Sequence, residues 1–195
     1  AVVVTGLGIG ASATADAIAR LPGEVTFAFA PYGGDLEKHA ARARDAGHEL
    51  LLQVPMEPYG QAANEAGPHA LLAEASETQN LDRLHWAMSR LSGYVGLTNY
   101  MGAKFSGVRP ALKPVLDEVA QRGLIFVEDG ASARSLVAEV ASTSGLPTAR
   151  GDIVLDGVDK PADIEAALAR AETQARVNGR AIVFGPALPG TIDRL

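Results

Sequence analysis

Short apolar runs recur along the chain at residues 1–5, 24–29, 49–53, 93–98, 124–127, 153–155 and 180–184, and most are continuous rather than alternating. A strand with one face in water alternates apolar and polar side chains, whereas a strand covered on both faces gives no position to solvent. Unbroken runs such as Val2-Val3-Val4 and Leu50-Leu51-Leu52 therefore predict buried parallel strands. Between the runs lie Ala-rich stretches that predict helices over 12–21, 34–46, 81–91, 113–122, 132–143 and 161–178. Pro22-Gly23, Gly47, Gly123 and Asn178-Gly179 supply stop signals, and Pro161 sits where a first helical turn tolerates it. Such an alternation is the signature of βα units around a parallel sheet. One connection, 54–80, is longer than the rest and carries Pro55, Pro58, Gly60, Gly67 and Pro68, which marks it as a candidate functional loop.

Seven strands in this length fit either a doubly wound open sheet or a barrel smaller than the usual eight-stranded one of about 250 residues. Both architectures place ligands at the carboxyl ends of the strands. Here those ends read Thr5, Gln53, Asn99-Tyr100, Glu128-Asp129, Asp156 and Gly185, so polar groups gather where a site would form. At 195 residues, 47% hydrophobic and 21% charged, the chain can bury a substantial core and reads as one domain over 1–195. A net charge of −6 without any basic run excludes nucleic acid and anionic membrane surfaces as electrostatic partners. The absence of cysteine excludes disulfides, thiolate metal sites and a cysteine nucleophile. No apolar run approaches the roughly 20 residues of a membrane span. Because the sequence opens inside an apparent strand without Met, a targeting segment is expected upstream.

The segments Val2-Val3-Val4-Thr5-Gly6-Leu7-Gly8, Gly47-His48-Glu49-Leu50-Leu51-Leu52-Gln53, Pro55-Met56-Glu57-Pro58 and Asn99-Tyr100-Met101-Gly102 occur in an order that resembles the divergent polysaccharide deacetylase family. The resemblance extends over essentially the whole chain. It implies a distorted β/α barrel, a link to carbohydrate metabolism, a location in the periplasm or elsewhere outside the cytoplasm, and a divalent metal that activates water. It also implies an Asp-Asp pair after the first strand, where this chain has Thr5-Gly6, and histidines at the positions of Gln53 and Tyr100. A Gly-His-Pro is expected near the last strand, where this chain reads Gly185-Pro186. The scaffold is kept while the metal chemistry is replaced. A deacetylase needs a Lewis acid and a base, and substitution of the ligands removes both; no metal and no cofactor is therefore expected.

Glu57, Glu128 and Asp129 remain as weak catalytic candidates, since oxygen ligands could hold a hard cation. Two of them have a structural alternative: Glu57 hydrogen-bonding loop amides, and Asp129 ordering the turn into the next helix. Thr5, Gln53, Asn99, Tyr100 and Lys104 are the candidate substrate-binding residues, with Tyr100 offering a ring face and a hydroxyl to a sugar. Tyr32, Tyr59 and Trp86 are further aromatics for such a platform, although a Trp within 81–91 is more often core; Lys104 is ordinarily a solvated charge that could instead pair with Glu128 or Asp129. His39, His48, His69 and His85 fall in helices, helix ends or the long loop rather than at strand ends. Gly6-x-Gly8-x-Gly10 lacks the spacing of a dinucleotide fingerprint. The expected ligand is a glycan or a peptidoglycan fragment. An active carbohydrate hydrolase using the surviving carboxylates and a protein-interaction domain with a vestigial cleft are the alternatives.

Overall fold

A computed structural model of the protein describes residues 1–60, 65–155 and 160–195. Eight strands, β1 (Val2–Leu7), β2 (Thr26–Phe29), β3 (Leu50–Met56), β4 (Gly96–Met101), β5 (Ile125–Glu128), β6 (Thr148–Arg150), β7 (Ile153–Val154) and β8 (Val183–Pro186), form one all-parallel sheet in the order β6-β5-β4-β3-β2-β1-β8-β7. The chain is thus an α/β fold of the curled half-barrel kind. Helices α1 (Ala11–Arg20), α2 (Leu36–Asp45), α3 (Glu77–Met88), α4 (Arg109–Gln121), α5 (Val137–Ser144), α6 (Pro161–Asn178) and α7 (Pro189–Arg194) follow their strands. The seven predicted runs all contain strands. The eighth strand, β6, is only three residues of mixed polarity, Thr148-Ala149-Arg150, and escapes a search for apolar runs.

Period-two alternation sorts the strand residues into two layers. Val4, Leu7, Phe27, Phe29, Leu50, Leu52, Leu97 and Phe126 face outward and pack under the helices. Val3, Ala28, Leu51, Val127 and Phe184 form a separate inner cluster with Ile125, Ala149 and Ile182. Members of β5 and β6 at one end of the sheet and of β8 near the other share that cluster, so the sheet curls around it. The edge strands are joined by residues 151–152 instead of by a ladder. Gly151 N–H donates to the Glu128 carbonyl at 2.7 Å, and the next amide, of Asp152, donates to Ile182 at 2.8 Å. Gly151 is glycine for a steric reason: a Cβ there would lie 2.8 Å from the Phe184 ring and 2.9 Å from the Asp129 carbonyl carbon.

Between β3 and α3 the long connection is tied to the barrel rim. Leu71 N–H donates to Pro55 O at 2.8 Å, and Glu57 N–H donates to Leu71 O at 2.9 Å. Pro55 is tolerated in β3 because β2 ends at Phe29, leaving its missing donor without a ladder partner on that side. Helix α3 begins earlier than its apolar pattern suggests, at a capping box in which Ser76 and Gln79 exchange side-chain to backbone hydrogen bonds.

Candidate functional site

The inward positions continue past the inner cluster to the carboxyl ends of the strands. There, Thr5 of β1, Gln53 and Pro55 of β3, Tyr100 of β4 and Pro186 of β8 stand around the barrel mouth. Two cavities open at this end, of about 650 Å³ and about 310 Å³, and Thr5, Gln53, Tyr100 and Pro186 line both. The smaller one adds Asn99 and Asp129; the larger extends toward α1, Pro31, Tyr32 and residues 65–68.

Backbone geometry fixes how the mouth presents its polar atoms. A bulge between Thr5 and Leu7 places Gly6 at φ +78°, a left-handed conformation that glycine adopts without penalty. The Gly6 N–H thereby turns toward Gln53 and donates to its Oε1 at 2.8 Å. An N–H can only donate, so the Gln53 oxygen is taken, and Nε2 is the end of the carboxamide left to donate at the wall the two cavities share. The Thr5 hydroxyl donates to the Gly185 carbonyl at 3.3 Å, leaving its lone pairs to accept. Asn99 is committed to backbone: Oδ1 accepts from Asp129 N–H at 2.9 Å and Nδ2 donates to Met101 O at 2.8 Å. It braces Met101, which is left-handed at φ +59° without being glycine. Asp129 accepts from Ala131 N–H at 2.9 Å through Oδ1, ordering the turn after β5 while also lining the smaller cavity. Tyr100 is 40% exposed, and its ring borders both compartments.

The remaining candidates lie elsewhere. Glu128 points to the opposite side of β5 from Val127, with Phe126; it is buried, and the Arg150 guanidinium stands 3.8 Å away. Burial pushes its carboxyl above the ordinary range, partly offset by the Ser135 hydroxyl and Arg150. Lys104 pairs with Glu57 at 2.8 Å and with Glu74 at 3.4 Å, not with Glu128 or Asp129. The backbone dictates that choice, since the amides of Lys104 and Phe105 both donate to the Glu57 carbonyl at 3.1 Å and hold this turn over β3. Glu57 also accepts from Ala73 N–H at 2.7 Å. Its burial raises the carboxyl, but the Lys104 and Ala73 hydrogen bonds together bring it below the ordinary range. Asp156 lies outside the described residues.

None of the four histidines reaches the mouth. His48 stacks on Phe27 at 3.8 Å and donates from Nδ1 to the Val25 carbonyl at 2.8 Å. His69 stacks on Trp86 at 3.7 Å, His85 meets Glu118 at 2.7 Å, and His39 is buried on α2. Trp86 packs against the outer core beside Tyr32, and Tyr59 is exposed away from both cavities. Tyr32 lines the larger cavity, where its hydroxyl accepts from His69 N–H at 3.0 Å. Among the described residues, no three His, Asp or Glu side chains converge as metal ligands. A hydroxyl already donating to a carbonyl, a carboxamide oxygen already accepting from an amide, a phenol, a proline and the single Asp129 carboxylate do not make a donor set for a divalent cation. The residues at the mouth therefore do not fit the metal that the family resemblance implies.

Ile9, Pro31, Pro68 and Leu188 also line the larger cavity, and none of them stands out as a site residue in the sequence. Their signal is present all the same, since Ala30-Pro31 and Pro186-Ala187-Leu188 put apolar residues into loops at strand ends, where polar ones are usual.

Comparison with known proteins agrees with this architecture. The chain matches the family model for divergent polysaccharide deacetylases over residues 2–195 and belongs to that family. It is 25% identical over 175 residues to the uncharacterized protein YibQ of Escherichia coli K12, covering 90% of this chain and 54% of that protein. It is 24% identical over 176 residues to an uncharacterized protein of Haemophilus influenzae, covering 90% of this chain and 62% of that one. The chain thus spans little more than half the length of these curated relatives. The crystal structure of the uncharacterized protein ATU2773 from Agrobacterium tumefaciens C58 is similar with a TM-score of 0.96 and 40% identity, covering 100% of this chain and 79% of that one.

Proposed function

We propose that this divergent polysaccharide deacetylase domain binds a glycan at the barrel mouth, outside the cytoplasm, without metal-dependent hydrolysis. The observation that carries the reading is the orientation of Gln53. The Gly6 amide holds the Gln53 oxygen, so a neutral N–H donor is left at the cavity wall, at a position where the family resemblance implies an imidazole ligand. Beside it, the Thr5 hydroxyl can accept, and Tyr100 presents a ring face. A donor, an acceptor and an aromatic plane suit a neutral sugar ring, and none of them polarises a carbonyl or activates water. Of the three candidate carboxylates for hydrolysis, Asp129 alone lines a cavity at the mouth; Glu57 is paired with Lys104 and Glu128 lies behind the barrel wall.

Calorimetric titration of cell-wall oligosaccharides into wild type and Tyr100→Ala tests this reading. Tyr100→Ala is expected to weaken binding by about 1–2 kcal/mol, the scale of one packed aromatic with its hydrogen bond. Chelator is expected to leave the wild-type affinity unchanged. Turnover that chelator abolishes would establish the hydrolase instead, and absence of any sugar interaction would leave a protein-interaction role. Fractionation of cells expressing the full-length protein checks the compartment.

A further inference from the structure

The larger compartment is built for something other than sugar hydroxyls. Four prolines, Pro31, Pro55, Pro68 and Pro186, stand in its wall, and a proline contributes no backbone N–H. Leu188 adds branched apolar surface, and Ile9, 61% exposed, stands at the rim. The carboxylate in its lining among the described residues, Glu65, is exposed and stays in water. A hydroxyl moved from water into such surroundings without a partner weakens binding by about tenfold or more. An alkyl chain there loses nothing and is freed from water. The smaller compartment is mostly apolar too, with Met101, Val154, Leu155 and Phe184 in its wall, but adds the Asp129 carboxylate. The two meet at Thr5, Gln53 and Tyr100, so a ligand seated at this junction would set a polar head among these groups and an apolar tail in the larger compartment.

We infer that the ligand is a saccharide bearing an acyl chain longer than acetyl, its sugar at the Thr5, Gln53 and Tyr100 junction and its chain in the proline-walled compartment. This rests on the glycan reading and specifies the substituent that the glycan carries. About 650 Å³ lies within the usual range for a small-molecule site and leaves room for such a chain.

The test is a titration series of N-acetyl-, N-butanoyl-, N-hexanoyl- and N-octanoylglucosamine, below micellar concentrations, against wild type and Ala13→Asp. Ala13 lines the larger cavity in the first turn of α1, where an aspartate suits the helix dipole, so the variant keeps its fold while placing a charge in the chain's path. In wild type the affinity is expected to rise about twofold to fourfold per added methylene, and Ala13→Asp is expected to flatten the series. A flat series in wild type, with binding still lost in Tyr100→Ala, overturns this inference and leaves the glycan reading intact. Equal binding of N-octanoylglycine, which lacks the sugar, upholds the chain compartment and overturns the saccharide head, the glycan reading with it. Failure of every compound to bind overturns both.

Discussion

At the scale of single residues, the site is decided by which way each side chain alternates. Glu128 and Asp129 are adjacent acids at one strand end, and period two sends them to opposite faces. Asp129 reaches the mouth; Glu128 goes behind the wall, where desolvation raises its carboxyl. A group whose folded pKa is raised binds its proton more tightly folded than unfolded, so its contribution falls as pH rises from the ordinary glutamate value through the folded one. Glu128→Gln keeps the shape and removes the ionisation. The variant is expected to match wild type near pH 4 and to exceed it in Tm at pH 7.5. Thermal melts at the two pH values check this, and a Tm lower than wild type at pH 7.5 would show that the Arg150 pairing outweighs desolvation. That Glu128 and Asp129 part company is readable from the alternation, but which of them faces outward is not, because Phe126 and Val127 before them are both apolar and only the structure assigns them to different layers. The Gln53 orientation is not readable, because it depends on a bulge at Gly6 that no apolar pattern records.

At the scale of elements, strongly apolar and well-stopped segments are legible and short polar ones are not. Val2–Leu7 and Leu50–Met56 announce themselves because both of their faces are buried. Thr148–Arg150 and Pro189–Arg194 do not, since the first is a half-exposed edge strand and the second a six-residue helix held by its neighbours. The start of α3 is legible in principle: Ser76 followed three residues later by Gln79 is a capping box, but the apolar period begins only at Leu81. Ser76→Ala removes the acceptor for the Gln79 amide and is expected to cost about 1 kcal/mol. Urea unfolding measures it, and an unchanged midpoint would mean that tertiary packing alone fixes the helix start. That end of α3 matters to the site, because Asn80 in its first turn clasps Leu72 through both N–H and C=O, each at 2.9 Å, and so anchors the loop below the larger cavity.

At the scale of the whole molecule, the inner cluster holds the sheet curled, and residues 151–152 join its two edges. The apolar runs make a barrel one of two architectures; the close approach of the two edges of the curled sheet depends on a glycine that no strand pattern marks. Gly151 lies against Asp129 on one side and Phe184 on the other, where no Cβ fits without movement. Gly151→Ala must push β5 away from β8 or displace the Phe184 ring that fills the barrel, and overpacking of this kind costs about 1–3 kcal/mol. The shift is expected to reach the mouth as well, because the backbone that must yield belongs to Asp129, whose amide Asn99 holds in place. Gly151→Ala should therefore lower the unfolding midpoint and weaken ligand binding together. Gly179→Asn provides the control: this glycine ends α6 with φ +75°, nothing lies within 4 Å of where its Cβ would stand, and asparagine tolerates that conformation. Unfolding and titration of both variants decide the matter. If Gly151→Ala behaves like Gly179→Asn, the edges are not held by this contact, and the mouth owes its shape to the inner cluster alone.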